Sequence, residues 1–139
     1  MDKDITYLRQ LLQRGYCCSP ALVALGLRHL NSENPQLLDA MKGLCNGLGQ
    51  GLICGALSGA ACMMTLLMPQ AAASGCLTEL TEWFEFTCKE RYGGINCRDI
   101  LRDTPIMRAT VCPQILEETY KQAKQILEDN GYIFAEGAD

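Results

Sequence analysis

The chain is short of positive charge, and that shortage removes two classes of partner at the outset. Twelve Lys and Arg stand against sixteen Asp and Glu, for a net charge of −4, with no basic run of the kind that tracks a nucleic-acid backbone or an anionic lipid surface. Histidine is nearly absent. His29 is the only one, and its place in a helical stretch marks it as a partly buried side chain rather than a metal ligand. No Cys-x-x-Cys occurs, which argues against a thioredoxin-type dithiol and against zinc knuckles, whose ligands come in close pairs. Cys-x-x-Cys-His is missing too, so the chain attaches no c-type haem. No Ser/His/Asp or paired-carboxylate arrangement can be assembled; Glu82 with Glu85, and Glu117 with Glu118, read as solvated helix faces. Sustained period-two alternation is lacking, which excludes a sheet as the organising element. The start, Met-Asp-Lys-Asp-Ile-Thr-Tyr, has no basic region followed by an apolar one, so no secretory signal is expected and the chain is read as cytoplasmic.

Charge of either sign disappears between Lys42 and Glu79. Within that interval the 18 residues Gly51–Met68 touch the lower limit of a membrane span. Their glycines, serine, threonine and cysteines, and the lack of Lys/Arg or aromatic anchors at either end, favour a buried central helix and no membrane insertion. Glycines at 47, 49 and 51 lead in, a helix is expected from Leu52, and Pro69 stops it. Gly55 and Gly59, four apart, share a face and let a neighbouring backbone approach.

The remaining segments also read as helices. Asp2–Arg14 carries Ile5, Leu8, Leu11 and Leu12 at helical spacing and ends at Gly15. Ser19-Pro20 launches a second, Ala21–Leu30, apolar on nearly all sides, and Asn34-Pro35 a third with Leu37, Leu38, Met41, Leu44 and Cys45 inward. A fifth covers Leu77–Tyr92 with Leu80, Trp83, Phe84 and Thr87 on one side, before Gly93-Gly94. A short helix, Cys97–Arg102, precedes a long one opened by Cys112-Pro113 and closed by Asn130-Gly131. Tyr132–Asp139 is an acidic tail that could pack through Tyr132, Ile133 and Phe134. The expectation is one all-α domain over 1–139, a compact bundle of about six helices around the glycine- and alanine-rich one.

Against these absences stands an excess of cysteine. Nine is several times ordinary usage, and an odd number excludes full intramolecular pairing. In a reducing compartment such an excess points to metal ligation or redox chemistry more than to structural disulfides. Cys18, Cys54, Cys97 and Cys112 each stand at an expected helix start. There unpaired N–H groups and the positive dipole end lower a thiol pKa from about 8.5 toward 7 or below. Their separations of 36, 43 and 15 mean that only the tertiary fold can join them. Cys45, Cys62 and Cys88 fall inside helices and read as packing residues; Cys17 and Cys76 are undecided, and Cys17, beside Cys18, could act as a resolving thiol although adjacent side chains do not face each other on a helix.

The four-cysteine pattern is similar to that of a family of redox-active proteins of about 140 residues, named for the motif C-GCAxxG-C-C. The resemblance is carried by Gly15-Tyr16-Cys17-Cys18, Cys54-Gly55-Ala56-Leu57-Ser58-Gly59, Cys97-Arg98-Asp99-Ile100-Leu101 and Cys112, and covers nearly the whole chain. It implies a small helical protein with four shared cysteines, a redox role and frequent occurrence beside transporter genes. Related domains fused to multihaem carriers are thought to hold an iron–sulfur cluster, which implies electron transfer.

Three readings follow. In the first, Cys18, Cys54, Cys97 and Cys112 ligate an iron–sulfur cluster, of the two-iron type, with Gly55, Ala56 and Gly59 leaving room for it and the chain serving electron transfer or redox sensing. In the second, two of them, with Cys54 and Cys18 as the redox-active thiols, exchange between dithiol and disulfide without metal. In the third, the chain is an accessory module for a neighbouring transporter. A redox partner protein or a transporter-associated one is expected, with an oligomer open. Cys54 is expected to be the most acidic and most function-critical thiol, with Cys62, eight residues along, as a packing control.

Overall fold

Asp2 starts the first helix, its carboxylate accepting the N–H of Asp4 at 2.8 Å and closing part of the first turn of α1, Lys3–Gln13. The computed structural model describes residues 2–102 and 105–134; the acidic part of the tail, 135–139, lies outside the described residues. Next come α2, Cys18–His29, and α3, Pro35–Met41, the latter capped by Asn34 with Pro35 at its first position. Then follow α4, Gly55–Leu67, and α5, Cys76–Tyr92, which is bracketed by Gly75 and Gly93, both left-handed. The last two are α6, Cys97–Leu101, and α7, Arg108–Asp129. The described residues are all-α: they form no strand, only one isolated antiparallel bridge, Ile53 with Asn96. No described helix is long and apolar enough to cross a membrane.

Three helix starts differ from expectation. α2 begins at Cys18 rather than Ala21, because Pro20 is still inside the first turn, where a backbone N–H has no intrahelical partner to lose. α4 begins at Gly55 rather than Leu52: the Leu52 carbonyl accepts from Cys97 N–H at 2.7 Å, and Cys54 N–H donates to Ile95 at 3.2 Å. α7 begins at Arg108, which puts Cys112 and Pro113 inside it rather than at its start. Pro113 removes only the bond to the Ala109 carbonyl, and Ala109 is exposed, so water can take that acceptor.

The centre of the molecule is the crossing of α2 and α4. A Cβ added at Gly59 would lie 2.7 Å from Ser19 Cα, and one at Gly26 would lie 3.2 Å from Met63 Cγ and Leu66 Cδ2. The contacts advance together along both helices, so α2 and α4 run parallel and present their positive N-terminal ends on the same side. Ala56, Ala60, Met63 and Met64 on α4 are fully enclosed, as are Leu22 and Leu25 on α2. α5 adds Cys76, Leu80, Phe84 and Cys88, a stripe of every fourth residue in which Trp83 takes only a flanking part. α7 adds Leu116, Tyr120, Ala123 and Leu127.

Polar groups tie the outer helices to this core. Glu117 and Glu118 are not merely solvated: each forms a two-point pair, Glu117 with Arg9 of α1 at 2.8 and 2.9 Å, Glu118 with Arg91 of α5 at 2.7 and 2.8 Å. Below them Asp4 accepts from the Tyr120 hydroxyl and lies 2.9 Å from His29 Nε2. Burial by itself would raise the Asp4 carboxyl, but these two hydrogen bonds together hold it below the ordinary carboxylate range. His29 is partly buried, as expected, with Phe134 edge-on at 5.3 Å. Tyr132 and Phe134 pack on the core, whereas Ile133 is 87% exposed.

Candidate redox site

Four separate stretches deliver the motif cysteines to one end of the α2–α4 pair. Cys18 is the first residue of α2, and Cys54 is the cap residue of α4. Cys97 opens α6, where Asn96 and Asp99 form a reciprocal cap, Asn96 N–H donating to Asp99 at 3.2 Å. Cys112 is the fifth residue of α7. The two backbone bonds of the Ile53–Asn96 bridge flank Cys54 and Cys97 and hold them side by side. The lead-in is shaped for this: Asn46, Gly47, Leu48, Gly49 and Gly51 all have left-handed φ, and a Cβ at Gly47 would overlap the Leu52 backbone.

The thiols interact as two pairs, Cys54 with Cys97 and Cys18 with Cys112, and charge on Cys97 is felt at Cys18 and charge on Cys18 at Cys54. Acidity is divided within each pair. The hydrogen bond that Cys54 donates brings the Cys97 thiol down to about 7, against the opposing effect of burial and with help from the Gly55 N–H and the Arg108 guanidinium. Cys54 itself is raised well above the ordinary thiol range, first by giving that hydrogen bond and then by burial, although the Ala56 N–H faces its sulfur. Cys112 is lowered by the hydrogen bond from Cys18 and by Arg108; Cys18 is raised by that bond and by desolvation of its sulfur. The acidity expected of Cys54 therefore belongs to Cys97. A helix end lowers a thiol only while no neighbouring thiolate competes for its proton.

Gly55 and Gly59 lie at the contact of α4 with the start of α2, and Ala56 is fully buried between them. A Cβ at Gly55 would meet Ser19 Oγ at 2.7 Å and Cys18 Cβ at 3.5 Å, so the glycine brings α4 against the two residues that open α2. Ser19 Oγ is buried there without a hydrogen-bond partner. Arg108 is a neighbour of these thiols that the sequence did not disclose. It lies outside every motif, and its Nη2 is held by Asn46 Oδ1 at 3.0 Å.

The other five cysteines divide differently from expectation. Cys17 and Cys45 are joined as a disulfide, with Cα atoms 5.9 Å apart, so Cys45 is not a packing residue. Cys62 is exposed rather than packed, because position 62 falls on the outer face of α4. Cys88 is buried as expected, and Cys76 is buried with Ser74 Oγ at 3.3 Å.

Comparison with curated proteins and with solved structures returns no match. The family model described as "Putative redox-active protein (C_GCAxxG_C_C)" matches residues 16–126. That span includes both cysteine pairs and four fifths of the chain, and the protein belongs to this redox-active family.

Proposed function

We propose that the chain is an electron-transfer or redox-sensing protein in which Cys18, Cys54, Cys97 and Cys112 together hold a two-iron iron–sulfur cluster. The observation that supports this reading is the meeting of four thiols, rather than two, as two interacting pairs. A cluster of this type takes four thiolates, two on each iron. The donor set fits in other respects. Gly55 and Ala56 N–H face the sulfurs, Arg108 offsets negative charge, and Ser19 Oγ is a buried donor without a partner. When bound, the group supplies one-electron chemistry.

The protein's own part is to bring four thiols together at one end, where the bond to each partner thiol, desolvation and neighbouring charge raise Cys18 and Cys54. A redox protein or a transporter-associated protein is the proposed partner. A shallow apolar hollow of about 430 Å³ between Val23, Met41, Cys62 and Leu66 favours a protein contact.

The division of acidity favours a second reading, thiol–disulfide exchange. Cys97 thiolate would attack a disulfide-bearing acceptor, and Cys54 would then displace it; the pair loses two electrons and two protons as the acceptor becomes two thiols. Serine variants separate the readings. In protein purified without oxygen, visible absorbance should vanish in Cys18→Ser and Cys112→Ser as fully as in Cys54→Ser, and persist in Cys62→Ser. If only the Cys54 and Cys97 variants lose redox activity and no variant or parent is coloured, the exchange reading replaces the cluster.

A further inference from the structure

Ser19 directly follows the first motif cysteine and is fully enclosed, yet its hydroxyl has no hydrogen-bond partner. A helical hydroxyl usually finds a carbonyl in the turn behind it, as Thr65 does at Ala61, 2.9 Å away. Ser19 is the second residue of α2, where no helical turn lies behind to offer one. An unpaired buried hydroxyl costs stability, and the packing does not ask for it, since Ala21 and Ala24 fill buried positions on the same helix.

The hydroxyl is held at the four-cysteine end. A Cβ built on Gly55 would lie 2.7 Å from Ser19 Oγ and 3.5 Å from Cys18 Cβ, whereas one on Gly59, a turn further from that end, would meet the Ser19 backbone instead. Along α4 the oxygen therefore projects toward Cys54 rather than into the bundle. Gly55 follows Cys54 directly, and its N–H helps to bring the Cys97 thiol down. The oxygen thus stands among residues that adjoin three of the four sulfurs, in space that the missing Gly55 side chain leaves to it.

We propose that Ser19 is a further residue of the redox site, its hydroxyl donating a hydrogen bond to a sulfur of the iron–sulfur cluster held by the four cysteines and so raising the reduction potential. This rests on the cluster reading of the site. A neutral thiol is a weak acceptor, whereas a thiolate or sulfide carries the charge that makes a hydrogen bond strong. Reduction by one electron adds negative charge to the sulfurs, so a donor fixed beside them favours the reduced state.

The test compares Ser19→Ala with the parent, both purified anaerobically, by titrating the visible absorbance against potential. The variant should bind as much iron and sulfide as the parent. At any fixed potential its ratio of reduced to oxidised protein should be about tenfold smaller, a midpoint about 59 mV more negative for one electron. Iron-free Ser19→Ala should melt no lower than the iron-free parent, because alanine removes a hydroxyl that has no partner; a residue that only braced the fold would melt lower. Thr119→Val is the control. Thr119 is also buried without a hydrogen-bond partner, but it lies seven residues past Cys112, about 10 Å along the helix, and its variant should keep the parent potential. A coloured Ser19→Ala protein with the parent potential would overturn the hydrogen bond alone. So would a Ser19→Ala protein that takes up no iron or melts lower when iron-free, or a Thr119→Val protein whose potential moves as far. A parent without iron and sulfide would overturn the cluster reading itself, and this inference with it.

Discussion

At the scale of single residues, Arg108 and Tyr120 set proton positions that no motif announces. Arg108 favours thiolate at Cys97 and Cys112 while Asn46 holds it in place. In iron-free protein the first proton of the Cys54–Cys97 pair should therefore be lost near pH 7, the value to which Cys97 is brought down. Alkylation of Cys97 by iodoacetamide, followed against pH by peptide mass, should show that midpoint. Arg108→Gln should move it upward, and an unchanged midpoint would remove Arg108 from the site.

Tyr120 acts through Asp4. Because the Asp4 carboxyl is depressed in the folded chain, its contribution to stability is present above the unfolded value of 3.8 and is lost as pH falls through the lower folded value. Tyr120→Phe takes away one of the two hydrogen bonds that hold it down. The variant should lose about 1–3 kcal/mol at neutral pH, the usual penalty for stripping a partner from a buried charged group. Its acid unfolding midpoint should move to higher pH. Urea melts at pH 7 and pH 4 measure both, and coincident acid transitions for parent and variant would show that Asp4 is held by His29 alone.

At the scale of elements, the parallel contact of α2 with α4 decides how much each glycine matters. At Gly59 an added Cβ meets the Ser19 backbone at 2.7 Å, which can yield only if the helices part. At Gly55 the obstacle at the same distance is the Ser19 hydroxyl, a side-chain atom that can rotate away. Gly59→Ala should accordingly destabilise by about 1–3 kcal/mol through overpacking, and Gly55→Ala by clearly less. Thermal melts of the two variants rank them; the reverse order would mean that α4 contacts α2 through a different face.

Helices with local punctuation were legible in the residues. Asp2, Asn34-Pro35 and the Gly93 stop each carry their signal within a few positions, and α1, α3 and α5 lie close to where that signal puts them. The glycine face of Gly55 and Gly59 was legible for the same reason. Cys112-Pro113 misled because proline favours a first turn but also tolerates a second, when the carbonyl it orphans is exposed. The union of Cys54 with Cys97 was out of reach of local reading. It depends on a two-bond bridge between stretches 43 residues apart, and neither stretch looks like a strand. The disulfide was hidden likewise, since Cys17 and Cys45 meet only once α3 has folded back on the start of α2.

At the scale of the whole molecule, two helices running side by side bring their positive ends to one place. A bridged loop and the first turns of α7 add the remaining thiols, and paired carboxylates brace α7 against α1 and α5. The central claim is that this quartet binds iron and sulfide. It is tested most directly by iron and acid-labile sulfide analysis, with an optical spectrum, on protein purified anaerobically. The account predicts two irons and two sulfides per chain, with visible absorbance that bleaches on reduction. Colourless protein without iron, in which Cys54 and Cys97 form a reversible disulfide, would contradict it.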